Sequence, residues 1–363
     1  MHSRISSVLA RPMLRNFLTA FVLIFAMGAF AYIMRAQQEQ GAMPEAQATS
    51  ASGVTSSNKT FNPLQVALLH WYDANLVGEI SLPNAAPFGM AFDGSNMWIA
   101  SQGVGVFKVR ASDAAILGQF AVEDAATVAF DGANVWVAVD GLGPRSTVVK
   151  LRASDGAQLG SFDPGGNKID IVFDGSHIWV TEADGSVSKL RATDGVKVGN
   201  FKTGSFPFAL ACDGPDIWVA DRSDGTVTKL RASDGVKLAT VTGLQGPAGL
   251  AFDGTNIWVS ELTGNSVAKI AGNGTVRGTF PVAAAPLGLT FDGANIWVAS
   301  VGSSTLTKLR ASDGANLGAF PVGATMPTQT ARLAFDGAHV WASLNDGNVA
   351  KFWPVFFAQR TGD

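Results

Sequence analysis

The stretch PAGLAFDGTNIWVSELTGNSVAKIAGNGTVRGTFPV, residues 247–282, decides how this chain folds. It contains four short runs, Pro247–Phe252, Ile257–Ser260, Ser266–Ile270 and Val276–Val282, separated by Asp253-Gly254-Thr255-Asn256 and by two further turns rich in Gly and Asn. Runs this short, bounded by residues that supply tight-turn backbone conformations, read as strands joined by hairpins.

The same phrase returns along the chain. Phe92-Asp93-Gly94, Phe130-Asp131-Gly132, Phe173-Asp174-Gly175, Cys212-Asp213-Gly214, Phe252-Asp253-Gly254, Phe291-Asp292-Gly293 and Phe335-Asp336-Gly337 follow one another at intervals of 38 to 44 residues. A period near 40 built only of short strands is the length of one four-stranded propeller blade. The chain is therefore predicted to be all-β, a single seven-bladed β-propeller over residues 63–353.

Each unit carries one tryptophan at the same place: Trp98, Trp136, Trp179, Trp218, Trp258, Trp297 and Trp341. An aromatic repeated once per blade is expected to fill the wedge between neighbouring sheets, burying on the order of 150 to 250 Å². Cys212 stands where six units have Phe and is expected to be a small buried hydrophobe. Ring closure is legible too. Leu69–Ile80 (LHWYDANLVGEI) aligns without a gap on Leu309–Phe320 (LRASDGANLGAF), while the last unit stops after its third strand at Lys351-Phe352-Trp353. A strand from Leu76 to Leu82 would complete the last blade and remove the open edges of a linear array.

Composition agrees with many short strands. The 363 residues include 41 Gly, 23 Phe and 9 Trp but 2 Tyr, and 15% are charged. A net charge of -3 without a clustered basic face argues against a nucleic-acid partner. With Cys212 as the single cysteine, an intrachain disulfide and a zinc site of paired thiolates are both excluded.

The N-terminus follows different rules. Arg4, Arg11 and Arg15 precede an uncharged run from Phe17 to Met34, and Arg35 follows it. At ~1.5 Å per residue that run reaches ~27 Å as a helix, close to the hydrocarbon thickness of a bilayer, and the arginines favour a cytoplasmic N-terminus. Residues 1–36 are thus expected to anchor the chain in a membrane, or to act as a signal sequence, with 37–62 as a flexible tether, 63–353 held outside the cytoplasm (periplasm or cell surface) and 354–363 as a tail. Secretion after cleavage is the alternative. Its A-x-A-like sites are Ala29-Phe30-Ala31, inside the apolar run, and Ala46-Gln47-Ala48, far beyond it.

Pro-x-Gly-Leu-Ala-Phe-Asp-Gly, Asn-Ile-Trp-Val-x-Glu and Val-x-Lys-Leu together resemble the blades of virginiamycin B (streptogramin) lyase-like propellers and of the related YVTN-type repeat proteins. That resemblance implies the propeller fold. For the lyases it also implies a metal-assisted elimination that opens a cyclic peptide lactone, with histidines and acidic residues of the loop face as catalysts. This chain departs from it. Of its four histidines, His2 precedes the apolar run, His70 is placed on the N-terminal strand, and His177 and His339 occupy the turn slot that is Asn96, Asn134, Asp216, Asn256 or Asn295 elsewhere. A strand of about five residues places His177 and Glu182 on the order of 16 Å apart, too far for an acid–base pair.

In blades with strands a to d, the b–c and d–a connections share one face, where the irregular residues gather. Three residues beyond each Trp the chain reads Ser101, Val139, Glu182, Asp221, Glu261, Ser300 and Leu344. Blades three to five thus place carboxylates at equivalent rim positions. Glu182, Asp221 and Glu261 are candidate ligands for Ca2+ or Mg2+, and candidate catalytic groups if the metal polarises a carbonyl or activates water. Asp140, Lys168, Asp170 and Arg222 are candidates for orienting a ligand. Asp221-Arg222-Ser223-Asp224-Gly225 lacks the twelve-residue spacing of a calcium loop, and neither a phosphate-binding Gly-rich loop nor a serine nucleophile elbow is present. The paired Lys and Arg of strand c, such as Lys150 and Arg152, recur around the ring and read as structural.

A complete scaffold without a complete active site points first to a ligand- or protein-binding propeller that presents its b–c/d–a face to a protein, peptide or glycan. The alternative is a divalent-cation-dependent carbon–oxygen lyase or lactone hydrolase using the carboxylate rim. A purely structural surface protein is a third reading.

Overall fold

The computed structural model describes residues 76–140, 146–322, 330–344 and 346–353. All lie within one compact unit, Asn62–Asp363. The expected membrane segment, tether and C-terminal tail, and with them His2 and His70, lie outside the described residues. Among the described residues no helix is long and apolar enough to cross a membrane.

Seven four-stranded antiparallel sheets form the seven blades. In blade one, strands a to d are Pro87–Phe92, Asn96–Ser101, Gly105–Arg110 and Ile116–Phe120. Blade five, whose sequence set the expectation, runs Pro247–Phe252, Asn256–Glu261, Ser266–Ala271 and Val276–Pro281, within a residue or so of the predicted limits. The closing strand is observed as well. Leu76–Ser81 pairs antiparallel with Asn348–Phe352 and supplies the fourth strand of blade seven, so the ring has no open seam.

The repeated residues hold blade to blade. In blade one Asp93 accepts the Ser95 and Asn96 backbone N–H groups on Oδ1, which sets the a–b turn, and accepts the Trp98 indole N–H on Oδ2 at 2.8 Å. The same Asp-to-Trp bond, 2.7–2.8 Å, recurs in every other blade. All seven Trp are buried, and each sits among the neighbouring blade's side chains, as Trp98 does with Val135 and Val137. A lysine of strand c lies over each indole at 4.8–5.2 Å.

Six of these lysines then donate to a carbonyl in the c–d turn of the next blade: Lys108 to Ala153, Lys150 to Ala192, Lys189 to Ala232, Lys229 to Gly272, Lys269 to Ala311, and Lys351 to Ala111 across the closure, all at 2.5–2.7 Å. Turn carboxylate, indole, ammonium and next-blade carbonyl therefore form one latch, repeated around the ring. The adjacent arginines pair within their own turns, as Arg110 does with Asp113 at 2.8 Å. Solvent screens these exposed pairs, so they add little to stability. Cys212 is half-buried rather than fully buried, and that burial, more than the nearby acidic charges, pushes its thiol up, away from the reactive thiolate.

Candidate functional site

Strand a of each blade lines the central channel, and each is bulged near its start. Register shifts fall between Pro87 and Met90, Ala125 and Thr127, Lys168 and Ile171, Pro207 and Ala209, Pro247 and Leu250, Pro286 and Leu289, and Thr330 and Leu333. A bulge re-aims the side chain it carries. The third residues of these strands are Gly89, Thr127, Asp170, Ala209, Gly249, Gly288 and Arg332, and all seven line a cavity of about 140 Å³.

Five of the seven are small because the inner strands crowd one another. A Cβ on Gly89 would lie 2.5 Å from the Cα of Thr127, and one on Gly249 would lie 2.0 Å from the carbonyl oxygen of Leu287. Asp170 and Arg332 are the two charged exceptions.

Their surroundings differ. Asp170 accepts the Leu210 N–H on Oδ2 at 2.8 Å, and its own N–H donates to the Thr181 hydroxyl at 2.8 Å. Burial pushes its carboxyl up, while the Arg332 charge, the Leu210 bond and a Thr127 hydrogen bond oppose that shift. Arg332 lies between Phe88 of blade one and Phe208 of blade four, with its guanidinium carbon 5.1 Å from each ring centroid. Its Nε and Nη2 are buried without a hydrogen-bond partner among the described residues. Burial lowers its pKa, with Asp170 acting in the other direction.

Arg222, in the b–c loop of blade four, lies 4.8 Å from the Phe208 ring, and Phe206 packs against Phe208 at 6.0 Å. Burial, then repulsion from Arg332, lowers the Arg222 pKa. The channel mouth on the b–c/d–a face thus holds two guanidinium groups and three phenyl rings, with one carboxylate on the channel wall. Phe206 has φ +58°, but Asp124, Gly246 and Ala285 take the same left-handed conformation immediately before strand a in their blades. The backbone there is a feature of the repeat; the phenyl ring is particular to blade four.

The other expected positions have local roles. Glu182, Asp221 and Glu261 are 2%, 0% and 5% exposed. Asp221 accepts Gly204 N–H at 3.0 Å and the Thr228 hydroxyl at 2.6 Å; Glu261 accepts Gln245 N–H at 3.0 Å and the Ser266 hydroxyl at 2.7 Å; Glu182 accepts the Ser188 hydroxyl. In blades four and five the carboxylate ties the d–a connection to strand b, and in blade one Ser101 does the same by accepting Ala86 N–H at 2.8 Å.

Burial is the main cause pushing the Asp221 carboxyl up. Among the described residues no group of three His, Cys, Asp or Glu is placed to hold a metal ion, so the three carboxylates do not fit a shared Ca2+ or Mg2+. They are separate buried struts, not an open rim.

Lys168 is fully buried opposite Glu182, donating to the carbonyls of Ser146 at 2.8 Å and Gly166 at 2.6 Å. Asp140 donates its N–H to the Asp124 carbonyl at 3.0 Å, and desolvation followed by the Asp124 charge pushes its carboxyl up. Of the four residues expected to orient a ligand, the structure brings Asp170 and Arg222 to one site, through Arg332. His177 begins strand b of blade three and Glu182 ends it, so they stand at opposite ends of that strand.

The fold defines the class: a seven-bladed β-propeller of four-stranded blades. Among solved structures it is similar to a streptogramin B lyase, with TM-score 0.65 and 17% identity over 76% of this chain and 96% of that one. It is also similar to virginiamycin B lyase from Staphylococcus aureus. The selenomethionine-substituted form gives TM-score 0.66, and a catalytically inactive form with quinupristin gives 0.65, each at 18% identity over 77% of this chain and 99% of that one. The resemblance carried by the repeat phrases is thereby shown as one of fold. No family model and no curated protein matches the chain.

Proposed function

We propose that this chain is a membrane-tethered, extracytoplasmic propeller that serves as a ligand-binding scaffold through its b–c/d–a face, the ligand seating at the mouth of the central channel. The observation that carries this reading is the Arg332 guanidinium, which lines the channel with two buried donors unpartnered among the described residues. Buried donors left unpaired cost about 1–3 kcal/mol, and a ligand that accepts from them recovers that cost. Arg and Phe side chains around a small cavity are also the side-chain types that dominate binding hot spots. Tethering outside the cytoplasm rests on the arginine-flanked apolar run of residues 17–34.

The cation-dependent lyase or hydrolase is not favoured, because the oxygens it would need bond within their own blades. The test is binding of the full chain to peptide and glycan arrays, comparing wild type with Phe208→Ala/Arg222→Ala and with an Arg110→Ala control on the opposite face. Ligands retained by wild type and the control but lost by the double variant support the scaffold. An array signal unaffected by the double variant, or no retained ligand at all, overturns it.

A further inference from the structure

Within that binding reading, on which this inference rests, the chemistry of the mouth selects one kind of ligand. In arginine, Nε–H and the Nη2–H beside it form one edge of the planar fork, spaced to hold both oxygens of a carboxylate. That edge of Arg332 is the one without a partner among the described residues.

The guanidinium carbon of the same group lies 5.1 Å from the ring centroids of both Phe88 and Phe208, contacts that restrict its movement. Asp170 acts on Arg332 through its charge but makes no hydrogen bond to that edge; its carboxyl group is bonded to Leu210 and Thr127 on the adjoining inner strands.

Charge narrows the choice. Arg222 and Arg332 contribute two positive charges against the single carboxyl group of Asp170, whose burial favours its protonated form, so the mouth is cationic and favours an anion. Size narrows it further, because a void of about 150 Å³ accepts a body of benzene dimensions. The cavity here is about 140 Å³. We propose that the channel mouth binds a small organic monocarboxylate, its carboxylate on the Nε/Nη2 edge of Arg332 and its compact body in the channel lined by Gly89, Gly249 and Gly288. Arg222, reached across the Phe208 ring, adds long-range attraction. Because that edge is buried, the Arg332 side chain must shift for the ligand to seat on it.

The probe is benzoate, titrated calorimetrically at neutral pH into the full chain in mild detergent, alongside benzamide and inorganic phosphate. Saturable benzoate binding is expected, with benzamide and phosphate each at least roughly tenfold weaker, since a charge-assisted bidentate contact is worth about 10- to 100-fold. Arg332→Lys, which keeps the charge and loses the fork, should weaken benzoate by a factor in that range, and Arg332→Gln by at least as much. Arg222→Gln, in a half-buried loop, should weaken it several-fold and carries the test if neither Arg332 variant folds.

Benzamide binding as tightly as benzoate would show that the carboxylate charge is not read. Phosphate binding as tightly would show a general anion site, and an unchanged affinity in Arg332→Lys would show that the fork is not read. Each of these overturns the proposal, as does the absence of benzoate binding. If benzoate fails while array ligands still depend on Phe208, the scaffold stands and the carboxylate assignment falls; if both fail, the scaffold falls too.

Discussion

The two ends of the propeller follow opposite rules. At the a–b/c–d end, one constellation of Asp, Trp, Lys and a next-blade carbonyl is repeated from blade to blade, down to hydrogen bonds that differ by about a tenth of an ångström. At the b–c/d–a end the repeat is broken, and the seven equivalent channel positions hold five small residues, an Asp and an Arg. Repetition marks what the ring needs for closure. Departure from it, at Asp170 and Arg332 among small residues, marks where a binding chemistry can be placed.

The contrast is tested most severely at the regular end. Trp218→Ala removes a buried indole that packs between blades four and five, and should cost about 3–5 kcal/mol, read as a lower urea midpoint. A loss below about 1 kcal/mol would mean that the latch is decorative and the comparison has no energetic content. Lys351→Met keeps the side-chain volume but loses the bond to Ala111 across the closure and the contact over Trp341. A loss of about 1–3 kcal/mol is expected by the same measurement, with the freed Ala111 carbonyl included in it. If Lys189→Met costs as much, the closing latch is no more demanding than an interior one.

The smallest effect belongs to the irregular end and is a pH dependence. Asp170 has its pKa raised in the fold, mainly by burial, so the native state holds its proton to higher pH than the unfolded chain does. Its contribution to stability is complete below the unfolded carboxylate pKa and is lost as pH rises through the folded value. Comparing urea midpoints of wild type and Asp170→Asn from pH 4 to pH 8, the difference should move in favour of the variant as pH rises. A difference that is flat with pH would place Asp170 in effective contact with solvent or Arg332, and would remove it from the account of the mouth.

Much of this architecture is legible in residue order. The seven Phe/Cys-Asp-Gly phrases and the seven Trp depend on spacing within about 40 residues, which local turn chemistry determines, and the closing strand shows in the gapless match of residues 69–80 to 309–320 and in the unfinished last unit. The site is legible only in part. Asp170 and Arg222 were candidates as irregular residues near one face. Arg332, Phe88, Phe206 and Phe208 were not singled out, although a signal exists: lining up the third residue of every inner strand shows Asp and Arg among Gly, Ala and Thr. Glu182, Asp221 and Glu261 were equally conspicuous by position. Spacing cannot show that the d–a connection folds over those strand ends and presents backbone N–H groups to Asp221 and Glu261.

By itself, then, the sequence determined the number of blades, the strands within them, the closing strand and the buried tryptophan of each blade, because these follow from a short-range repeat and from turn residues that allow few backbones. Tertiary structure alone decided which charges meet. Phe88, Asp170, Phe208, Arg222 and Arg332 come from blades one, three, four and seven, up to 244 positions apart in sequence, and no local rule relates them. They meet because a closed ring turns the first strand of each blade toward one axis, while the same packing directs the three acidic strand ends into their own blades' hydrogen bonds.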